Sequence, residues 1–374
     1  MFEILEIMSH KGPYRVNFTK KFAFPIDVDL LKTSHIIIDK QVATLYKNVL
    51  QPFLSSAVSI LEIEATELNK SLEKMPIFVE HLVSQRLRRT HPLIAIGGGV
   101  IQDITCFLAA NILRGVDWWF IPTTLLAQAD SCIGSKSSIN CAGVKNILGT
   151  FTPPKQIFIE LEFLSTLKKQ DICSGVGEML KVHAIEGTTA FSQIVKDYPW
   201  LFENKDLMAK YIRRSLEIKK AIIEQDEFDR GIRQVMNYGH TFGHAIETAT
   251  AYRVPHGIAV SIGMDMANYI ARQLGRCPAD YFEKAHLTLL ANYQDFRHES
   301  IILENFLSAI SKDKKNTESN MLNVILPNES GTIERCSLPS DTNFIQLCSE
   351  YFSKIFAETV SAGHGLYSHA DNIA

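Results

Sequence analysis

The stretch LIAIGGGVIQDITCFLAANI, residues 93 to 112, constrains the fold of this 374-residue chain more than any other segment. An apolar run enters three consecutive glycines, and a segment of helical periodicity follows from about Ile101. Glycines let a ligand approach the backbone, and the free N–H groups at a helix start can hold a pyrophosphate. The stretch therefore predicts a strand, a phosphate loop and a helix, as in a dinucleotide site. Because the GxGxxG pattern is absent, a tight turn without a ligand is the alternative.

Further apolar runs at residues 35 to 39 and 118 to 124 alternate with segments of helical periodicity, such as residues 77 to 87. This alternation is typical of a parallel sheet with crossover helices. From about residue 170 to 273 the chain instead consists of consecutive amphipathic helices, so we expect a domain boundary between residues 155 and 170. Near the end, residues 320 to 327 suggest a short strand, residues 341 to 359 predict a helix, and the segment from 361 onward is expected to be weakly ordered.

The composition is that of a large globular protein, with 46% hydrophobic and 21% charged residues and a net charge of −3. No basic face or tail favours a nucleic acid partner, whereas a small anionic ligand remains possible. The seven cysteines form no CxxC pair, which indicates reduced thiols and a cytoplasmic location. Without a signal sequence or an apolar run of about 18 residues, the chain is expected to be soluble and not to bind membranes.

Polar side chains follow the predicted strands. Asp39 ends the first run, and Thr123, Thr124 and Asp130 follow the run at 118 to 122. In a doubly wound sheet the carboxyl ends of the strands line the ligand crevice, so these side chains should lie beside the glycine loop. Asp39 has the placement of an acid that binds a ribose hydroxyl, with a helix cap as the alternative.

Two histidines, His240 and His244, are spaced by four residues, which places them on one helix face about 6 Å apart. His256 follows a short way on, and Glu178 lies in the segment SGVGEMLKVHAIE. Two neutral imidazoles and one carboxylate make an open zinc site that leaves room for a substrate hydroxyl. The alternative is that the histidines share a helix face without binding metal.

Cations form the second part of the predicted site. Arg233 precedes His240 by seven residues, or two helical turns, and so is expected on the same face. Cations that converge on a metal imply an anionic substrate with phosphate or carboxylate groups, whereas each alone would be a solvated surface charge. The candidates are Lys136, Lys145, Lys220, Arg233, Lys314 and Lys315.

Taken together, eight motifs resemble the 3-dehydroquinate synthase family of sugar phosphate cyclases. The resemblance spans about residues 35 to 330, with the motifs in the family's order and roughly its spacing. They are GGGVIQD, RGV, PTTLLAQADSCIGSKSSIN, VKNILGTF, GEMLK, DEFDRGIRQVMNYGHTFGHAIE, PHG and DKK.

The resemblance implies a Rossmann-like α/β NAD-binding domain at residues 1–165 and an all-α metal- and substrate-binding domain at 166–374, with the active site between them. It also implies NAD+, a divalent metal such as Zn2+ or Co2+, and a homodimer. The metal ligands map onto Glu178, His240 and His256. The catalytic or substrate-contacting positions map onto Lys136, Asn146, Lys181, Lys220, Arg233, Asn237, His244, Arg114 from a neighbouring subunit, and one of Lys314 and Lys315.

The predicted cofactor-binding residues come from the glycine loop, from the ends of the predicted strands and from the segment TELNKS. In that segment Glu67 and Lys70 resemble, less closely than the other motifs, the Glu-x-x-Lys contact to NAD in the family. The full set consists of Asp39, Glu67, Lys70, Gly98, Gly99, Val100, Asp103, Thr123, Thr124, Asp130, Ser131, Lys136, Lys145 and Thr166.

The reaction implied by the resemblance converts 3-deoxy-D-arabino-heptulosonate 7-phosphate to 3-dehydroquinate and phosphate, in the shikimate pathway of aromatic amino acid biosynthesis. A hydroxyl is oxidised by NAD+, phosphate is eliminated, the ketone is reduced again, and an aldol step closes the ring, so the lyase consumes no NAD+.

Three residues depart from the family pattern: Ser135, Val144 and Ile258. They keep open a related cyclase that acts on sedoheptulose 7-phosphate or glucose 6-phosphate in secondary cyclitol biosynthesis. A zinc-dependent polyol dehydrogenase and a binding protein that has lost catalysis are the remaining alternatives.

Overall fold

The computed structural model describes residues 4–311 and 321–357. The first part of the described chain contains nine strands. They are β1 (Leu5–Ile7), β2 (Tyr14–Thr19), β3 (His35–Asp39), β4 (Ser59–Ile63), β5 (Leu93–Gly97), β6 (Trp118–Pro122), β7 (Ile139–Cys141), β8 (Val144–Leu148) and β9 (Gln156–Glu160). Seven of them form a sheet with the order β1-β2-β9-β6-β5-β3-β4, and β7 and β8 form a separate hairpin. Only the β1–β2 pair of the described sheet is antiparallel.

Helices cover both faces of this sheet, because successive strand residues point to opposite sides. In β3, Ile36 and Ile38 belong to one apolar cluster and Ile37 to the other, and all three are fully buried. Continuous burial explains why the strand is an unbroken apolar run. The helices are α1 (Val28–Leu31), α2 (Lys40–Leu45), α3 (Lys47–Leu54), α4 (Met75–Ser84) and α5 (Gly99–Asn111).

The second part of the chain is a helical domain built around a central helix, α10. Every residue of α10 from Gly257 to Ala271 is buried, and the helix packs against α6, α9 and α11. The helices are α6 (Lys169–Glu186), α7 (Thr188–Asp197), α8 (Lys205–Ile223), α9 (His240–Ala249), α10 (His256–Gln273), α11 (Tyr281–Tyr293), α12 (Leu303–Ser311) and α13 (Thr342–Glu350). An antiparallel hairpin of β10 (Met321–Pro327) and β11 (Ile333–Pro339) accompanies them.

The structure confirms the predicted class of an α/β part followed by a helical part, together with the predicted strands at β3, β5, β6 and β10. The hairpins β1–β2 and β7–β8 were not predicted. Within the predicted helix at 341 to 359, the α-helix covers Thr342–Glu350, and a π-helical turn, Tyr351–Phe356, follows it directly. The segment from 361 onward lies outside the described residues. Among the helices described, none is both long and apolar enough to span a membrane.

Candidate active site

The glycine loop joins β5 to α5 at the carboxyl edge of the sheet. Gly98 precedes α5, no side chain caps the helix start, and the first helical bond runs from the Gln102 N–H to the Gly98 carbonyl. The preceding N–H groups are thus left for an anion. A Cβ on Gly98 would lie 2.9 Å from Thr124 Cγ2, whereas one on Gly99 would meet no atom within 4 Å. The loop is therefore tight at Gly98 and open toward a ligand at Gly99.

A cleft of about 920 Å3 runs from this loop to the helical domain. Most of the residues predicted to bind the cofactor line it, so residues from six separate segments meet at one surface. They are Asp39, Glu67, Lys70, Gly98, Gly99, Val100, Asp103, Thr123, Thr124, Ser131, Lys145 and Thr166. The other two, Asp130 and Lys136, line an adjoining pocket of about 160 Å3.

Lys70 is buried, and its side chain connects Asp103 with the exposed residues Glu67 and Asn146. Its Nζ lies 3.2 Å from Glu67 Oε1, 3.3 Å from Asp103 Oδ2 and 3.1 Å from Asn146 Oδ1. Burial raises the pKa of Asp103 to about 6, against the opposing effect of Lys70. The network fixes the floor of the cleft.

Asp39 caps a helix and also lies in the wall of the cleft, where the ribose contact expected from the sequence stays a prediction. Its Oδ1 accepts a 2.9 Å hydrogen bond from the Gln41 N–H and caps α2. The same residue lines the cleft, and burial raises the pKa of its carboxyl. The helix cap therefore does not remove Asp39 from the ligand surface.

The predicted metal ligands come together from three helices. Glu178 lies in the middle of α6, while His240 and His256 are the first residues of α9 and α10. Glu178 Oε1 lies 3.5 Å from His240 Nε2 and 3.3 Å from His256 Nε2. His244 contributes a further nitrogen, because the ligand atoms of the three histidines all lie within 4.8 Å of one another.

The Nδ1 atoms of His240 and His256 each lie close to an oxygen atom of another residue. His256 Nδ1 lies 3.2 Å from Glu247 Oε2, and His240 Nδ1 lies 3.2 Å from the Tyr238 carbonyl oxygen. Such contacts fix the ring orientation of metal-binding histidines and leave Nε2 for the ion. The sequence did not point to Glu247, although its position seven residues after His240 puts it two turns along the same helix.

Glu178 is almost completely buried, and both its oxygens lack an aligned hydrogen-bond donor among the described residues. Burial alone would raise its pKa, but Lys181, whose Nζ lies 2.5 Å away, and the two histidines hold the pKa well below its ordinary value. Burial also keeps the pKa of His240 well below its usual range. Against the effect of burial, Glu178 and Glu247 raise the pKa of His256 to about 10, so His256 would release a proton when a metal binds. The ionised carboxylate of Glu178, the neutral His240 and a deprotonated His256 are the donors that a divalent metal requires, and in this sense the three residues fit such an ion.

Three cations surround the pocket of 160 Å3 next to the glycine loop: Lys136, Lys219 and Arg233. Lys219 is buried, and its Nζ lies 3.2 Å from Asp130 Oδ1 and donates to the Asp130 carbonyl at 2.6 Å. Burial lowers the pKa of this lysine. Asp103 and Asp130 line the same pocket, so the three cations, which come from both parts of the chain, exceed the carboxylates by one beside the start of α5.

The sequence selected Lys220 for this role, and the structure instead places its neighbour Lys219 in the pocket. Lys220 pairs with Glu224 at 2.8 Å on its own helix. The periodicity of α8 carried the missing signal, because Ser215, Lys219 and Ile223 recur at intervals of four on the buried face.

The prediction that Arg233 shares a helix face with His240 was wrong. Arg233 lies in a separate 3-10 turn, Ile232–Asn237, and α9 begins only after Gly239, which has φ +76°. The Arg233 side chain nevertheless lines the pocket and donates to the Glu227 carbonyl at 2.5 Å.

Lys136 is already paired in this structure. Its Nζ lies 2.6 Å from Asp229 Oδ2, and Asp229 has φ +58° in the loop between α8 and the 3-10 turn. The sequence did not point to Asp229. An anion that binds Lys136 would compete with this carboxylate.

The remaining predicted residues differ in where they lie. Lys181 is buried against Glu178, and Asn146 lines the cofactor cleft. Asn237 ends the 3-10 turn and donates to the Gln234 carbonyl at 3.0 Å. Arg114 is exposed beyond the far end of α5, about 20 Å along the helix from the glycine loop. Lys314 and Lys315 lie outside the described residues.

Family models match this chain over most of its length. Residues 60–174 match the 3-dehydroquinate synthase N-terminal model, and residues 175–316 match the C-terminal model. The chain belongs to the 3-dehydroquinate synthase family. It is therefore an enzyme of a lyase-type cyclase family.

Individual relatives support the same assignment. The chain is 36% identical over 320 residues to 3-dehydroquinate synthase of Helicobacter pylori, which covers 84% of this chain and 91% of that protein. Among solved structures, 2-deoxy-scyllo-inosose synthase with carbaglucose-6-phosphate, NAD+ and Co2+ has a TM-score of 0.80 at 21% identity, covering 94% of this chain and 99% of that one. A 2-epi-5-epi-valiolone synthase from Streptomyces hygroscopicus with NAD+ and Zn2+ has a TM-score of 0.78 at 24% identity, covering 91% and 96%.

Proposed function

We propose that this chain converts 3-deoxy-D-arabino-heptulosonate 7-phosphate to 3-dehydroquinate and phosphate, using NAD+ and a divalent metal. The observation that carries the proposal is the pocket lined by Lys136, Lys219 and Arg233. The pocket lies next to the start of α5. It is also close to the proposed metal site, because the charges of its lining residues Asp130 and Arg233 act on the pKa of Lys181, the ion-pair partner of Glu178. Asp103 and Asp130 also line the pocket, which leaves an excess of one formal positive charge, and this excess favours an anionic group of the substrate such as its phosphate.

We assign the cleft of 920 Å3 to NAD+, with its pyrophosphate at the start of α5 and Asp39, Glu67 and Lys70 as further contacts. Bound NAD+ would supply reversible hydride transfer. Glu178, His240 and His256 would hold the divalent metal, Zn2+ or Co2+, which would supply Lewis acidity at a substrate hydroxyl.

The residues of the chain then orient and stabilise the substrate. Lys136, Lys219 and Arg233 would balance the charge of its phosphate and carboxylate in a partly buried site, where preorganised charges act strongly. Lys181 keeps Glu178 ionised through their 2.5 Å ion pair. We assign His244, Asn146 and Asn237 to contacts with the substrate, together with one of Lys314 and Lys315.

We further propose a domain boundary at residue 165, in the segment between β9 and α6. Because Arg114 lies far from the pocket within its own chain, it would reach a substrate only in a neighbouring subunit, which favours a homodimer. We place the enzyme in the cytoplasm and in the shikimate pathway.

A related sugar phosphate is the second candidate substrate. The solved structures named above are cyclases with other products, and Ser135, one of the three departures from the family pattern, precedes Lys136. Ser135 is 1% exposed, so its side chain takes up space beside the cation. Ile258 is fully buried in α10, and Val144 is exposed on β8.

Phosphate release by the purified chain with NAD+ and Zn2+ tests the proposal, with the heptulosonate, sedoheptulose 7-phosphate and glucose 6-phosphate as parallel substrates. Release from the first alone, without net NADH, is expected. Release from one of the others would transfer the activity to a secondary cyclitol pathway. Steady NADH production from glycerol would support a polyol dehydrogenase, and binding without turnover would support a protein that has lost catalysis.

A further inference from the structure

The turn between β1 and β2, residues 8–13, contacts the segment that follows α8. The Met8 N–H donates to Glu224 Oε1 at 2.8 Å. Two residues further on, the His10 N–H donates to Glu227 Oε2, also at 2.8 Å. His10 and Glu227 lie 217 positions apart, so this contact joins the α/β part of the chain to the helical part.

His10 and Glu227 also make a side-chain contact. His10 Nδ1 lies 2.9 Å from Glu227 Oε1, and the Glu227 side chain is only 14% exposed. Against the effect of burial, the contacts with His10 hold the pKa of Glu227 below its ordinary value, so its carboxylate is ionised at pH 7. An ionised carboxylate accepts only, and therefore Nδ1 carries the proton and both hydrogen bonds are charge-assisted.

The backbone of the same glutamate holds Arg233. The Glu227 carbonyl accepts a 2.5 Å hydrogen bond from Arg233 Nη1. The Arg233 N–H donates to Asp226 Oδ2 at 3.1 Å, and the Gly231 N–H donates to the same oxygen at 2.7 Å. The direction in which the Arg233 side chain enters its pocket therefore depends on where residues 226 and 227 lie.

The guanidinium of Arg233 also lies close to Gly134, and the hairpin β1–β2 contacts this glycine as well. A Cβ on Gly134 would lie 3.3 Å from Arg233 Nη2. The Gly134 N–H donates to the hydroxyl of Tyr14 at 2.8 Å, and Tyr14 is 2% exposed. Burial raises the pKa of Tyr14, on which the charges of Glu227 and Arg233 also act. The hairpin thus binds both neighbours of the guanidinium, Glu227 through His10 and Gly134 through Tyr14.

We propose that the hairpin β1–β2 positions the Arg233 guanidinium for an anionic group of the substrate, through His10 and Glu227. Tyr14 supports the same arrangement from the side of Gly134. The inference rests on the proposed function in that Arg233 binds the substrate. Loss of the contact between His10 and Glu227 would let the Glu227 carbonyl move, together with the guanidinium that donates to it. Because the substrate is already charged before it reacts, the loss should weaken its binding and raise KM.

The first test is the Glu227→Ala variant, which removes the carboxylate and retains the carbonyl that accepts from Arg233. In phosphate release from the heptulosonate, we expect KM to rise about tenfold and kcat to stay within about twofold. A loss of folded protein would instead lower kcat at constant KM, so this comparison separates positioning from instability. An unchanged KM would overturn the inference.

Glu6→Ala is the matched control. It removes a 2.9 Å ion pair with Arg15 inside the same hairpin. Because an exposed pair of this kind contributes little, KM should stay within about twofold of the parent value. An equal rise of KM in Glu6→Ala and Glu227→Ala would overturn the specific role of Glu227.

Two variants of His10 separate its hydrogen bond from its packing against Phe228, where the ring centroids are 5.3 Å apart. His10→Asn keeps a side-chain donor near the position of Nδ1 and should hold KM within about threefold of the parent value. His10→Phe keeps a ring without a donor and should raise KM about tenfold, as Glu227→Ala does. The reverse order would assign the effect to packing and overturn the inference.

Binding of inorganic phosphate to the full chain with NAD+ tests the positioning without turnover. Titration calorimetry should show about tenfold weaker binding in Glu227→Ala and in Arg233→Gln. This result in a chain that turns over none of the sugar phosphates would support the positioning and refute the proposed function. Equal phosphate affinity in the parent and Glu227→Ala would overturn the positioning, whatever the turnover. No binding to the parent chain up to about 10 mM would overturn it as well.

Discussion

The Nζ of Lys145 lies 3.2 Å from the centroid of the Tyr252 ring. This cation–π contact joins the β7–β8 hairpin to the segment after α9, and both residues line the cleft assigned to NAD+. Tyr252 and the preceding Ala251 have φ values of +61° and +49°, which non-glycine residues rarely adopt. The helical domain thus holds Tyr252 in a strained conformation over a predicted cofactor-binding lysine.

Replacing Tyr252 with alanine should weaken NAD+ binding about two- to fivefold, because a cation–π contact between exposed side chains contributes about 0.5–1 kcal/mol. Tyr252→Phe retains the ring and should bind NAD+ within about twofold of the parent chain. Titration calorimetry of both variants measures the difference. Equal affinity of the alanine and phenylalanine variants would show that the ring does not position Lys145.

Lys219 and Lys220 form an adjacent pair for a direct comparison. Lys219→Ala should reduce the rate of phosphate release about 100-fold, as expected for loss of a preorganised charge, while Lys220→Ala should stay within about twofold. Thermal unfolding shows whether Lys219→Ala still folds with Asp130 left without its partner. A large loss in Lys220→Ala, with Lys219→Ala active, would reverse the assignment made from the structure.

His256→Ala should lose bound metal and activity together, because the substitution removes one of three proposed ligands. Glu247→Gln is the milder companion, since this change beside His256 Nδ1 should lower metal affinity about 10- to 100-fold without removing a ligand. Metal content after gel filtration measures both. Full metal occupancy in His256→Ala would exclude the ligand assignment.

His35 should make folding stability depend on pH in acid. Its imidazole is fully buried against Ser59, at 2.8 Å, and His91, at 3.2 Å. Burial, followed by the charges of His91 and His81, lowers the pKa of His35 from 6.5 to about 4. The unfolded chain therefore takes up a proton at a higher pH than the folded chain, and stability is lost as the pH falls from about 6.5 towards 4.

His35 alone should lower the free energy of unfolding by about 2 kcal/mol between pH 7 and pH 5. Urea unfolding of the parent chain and of His35→Gln at both pH values isolates this contribution, because the variant retains the other histidines. We expect a shallower pH dependence in the variant. Identical dependence in the two proteins would mean that His35 is not protonated differently on folding.

Local sequence predicted much of the fold, because several elements carry an unambiguous pattern. The apolar residues 36 to 38 are buried on both faces of the sheet, and the glycines after β5 lead into a helix, as predicted, although the helix begins at Gly99 and not near Ile101. The hairpin β7–β8 was missed for a physical reason. All five residues of β8 are exposed, so the strand has no buried face to give its sequence a period of two.

The sequence by itself determined the residue types and the order of the site: a glycine loop, paired histidines, a carboxylate with a lysine one turn later, and scattered cations. Only the tertiary structure decided which of these meet. It selected Lys219 over Lys220, placed Arg233 in the pocket from a separate turn, and added Glu247 and Asp229. The reason is that a helix turns about 100° per residue, so its packing against other elements decides which neighbour faces the site. The contact between Lys219 and Asp130 joins residues 89 positions apart, a separation at which local patterns carry no information.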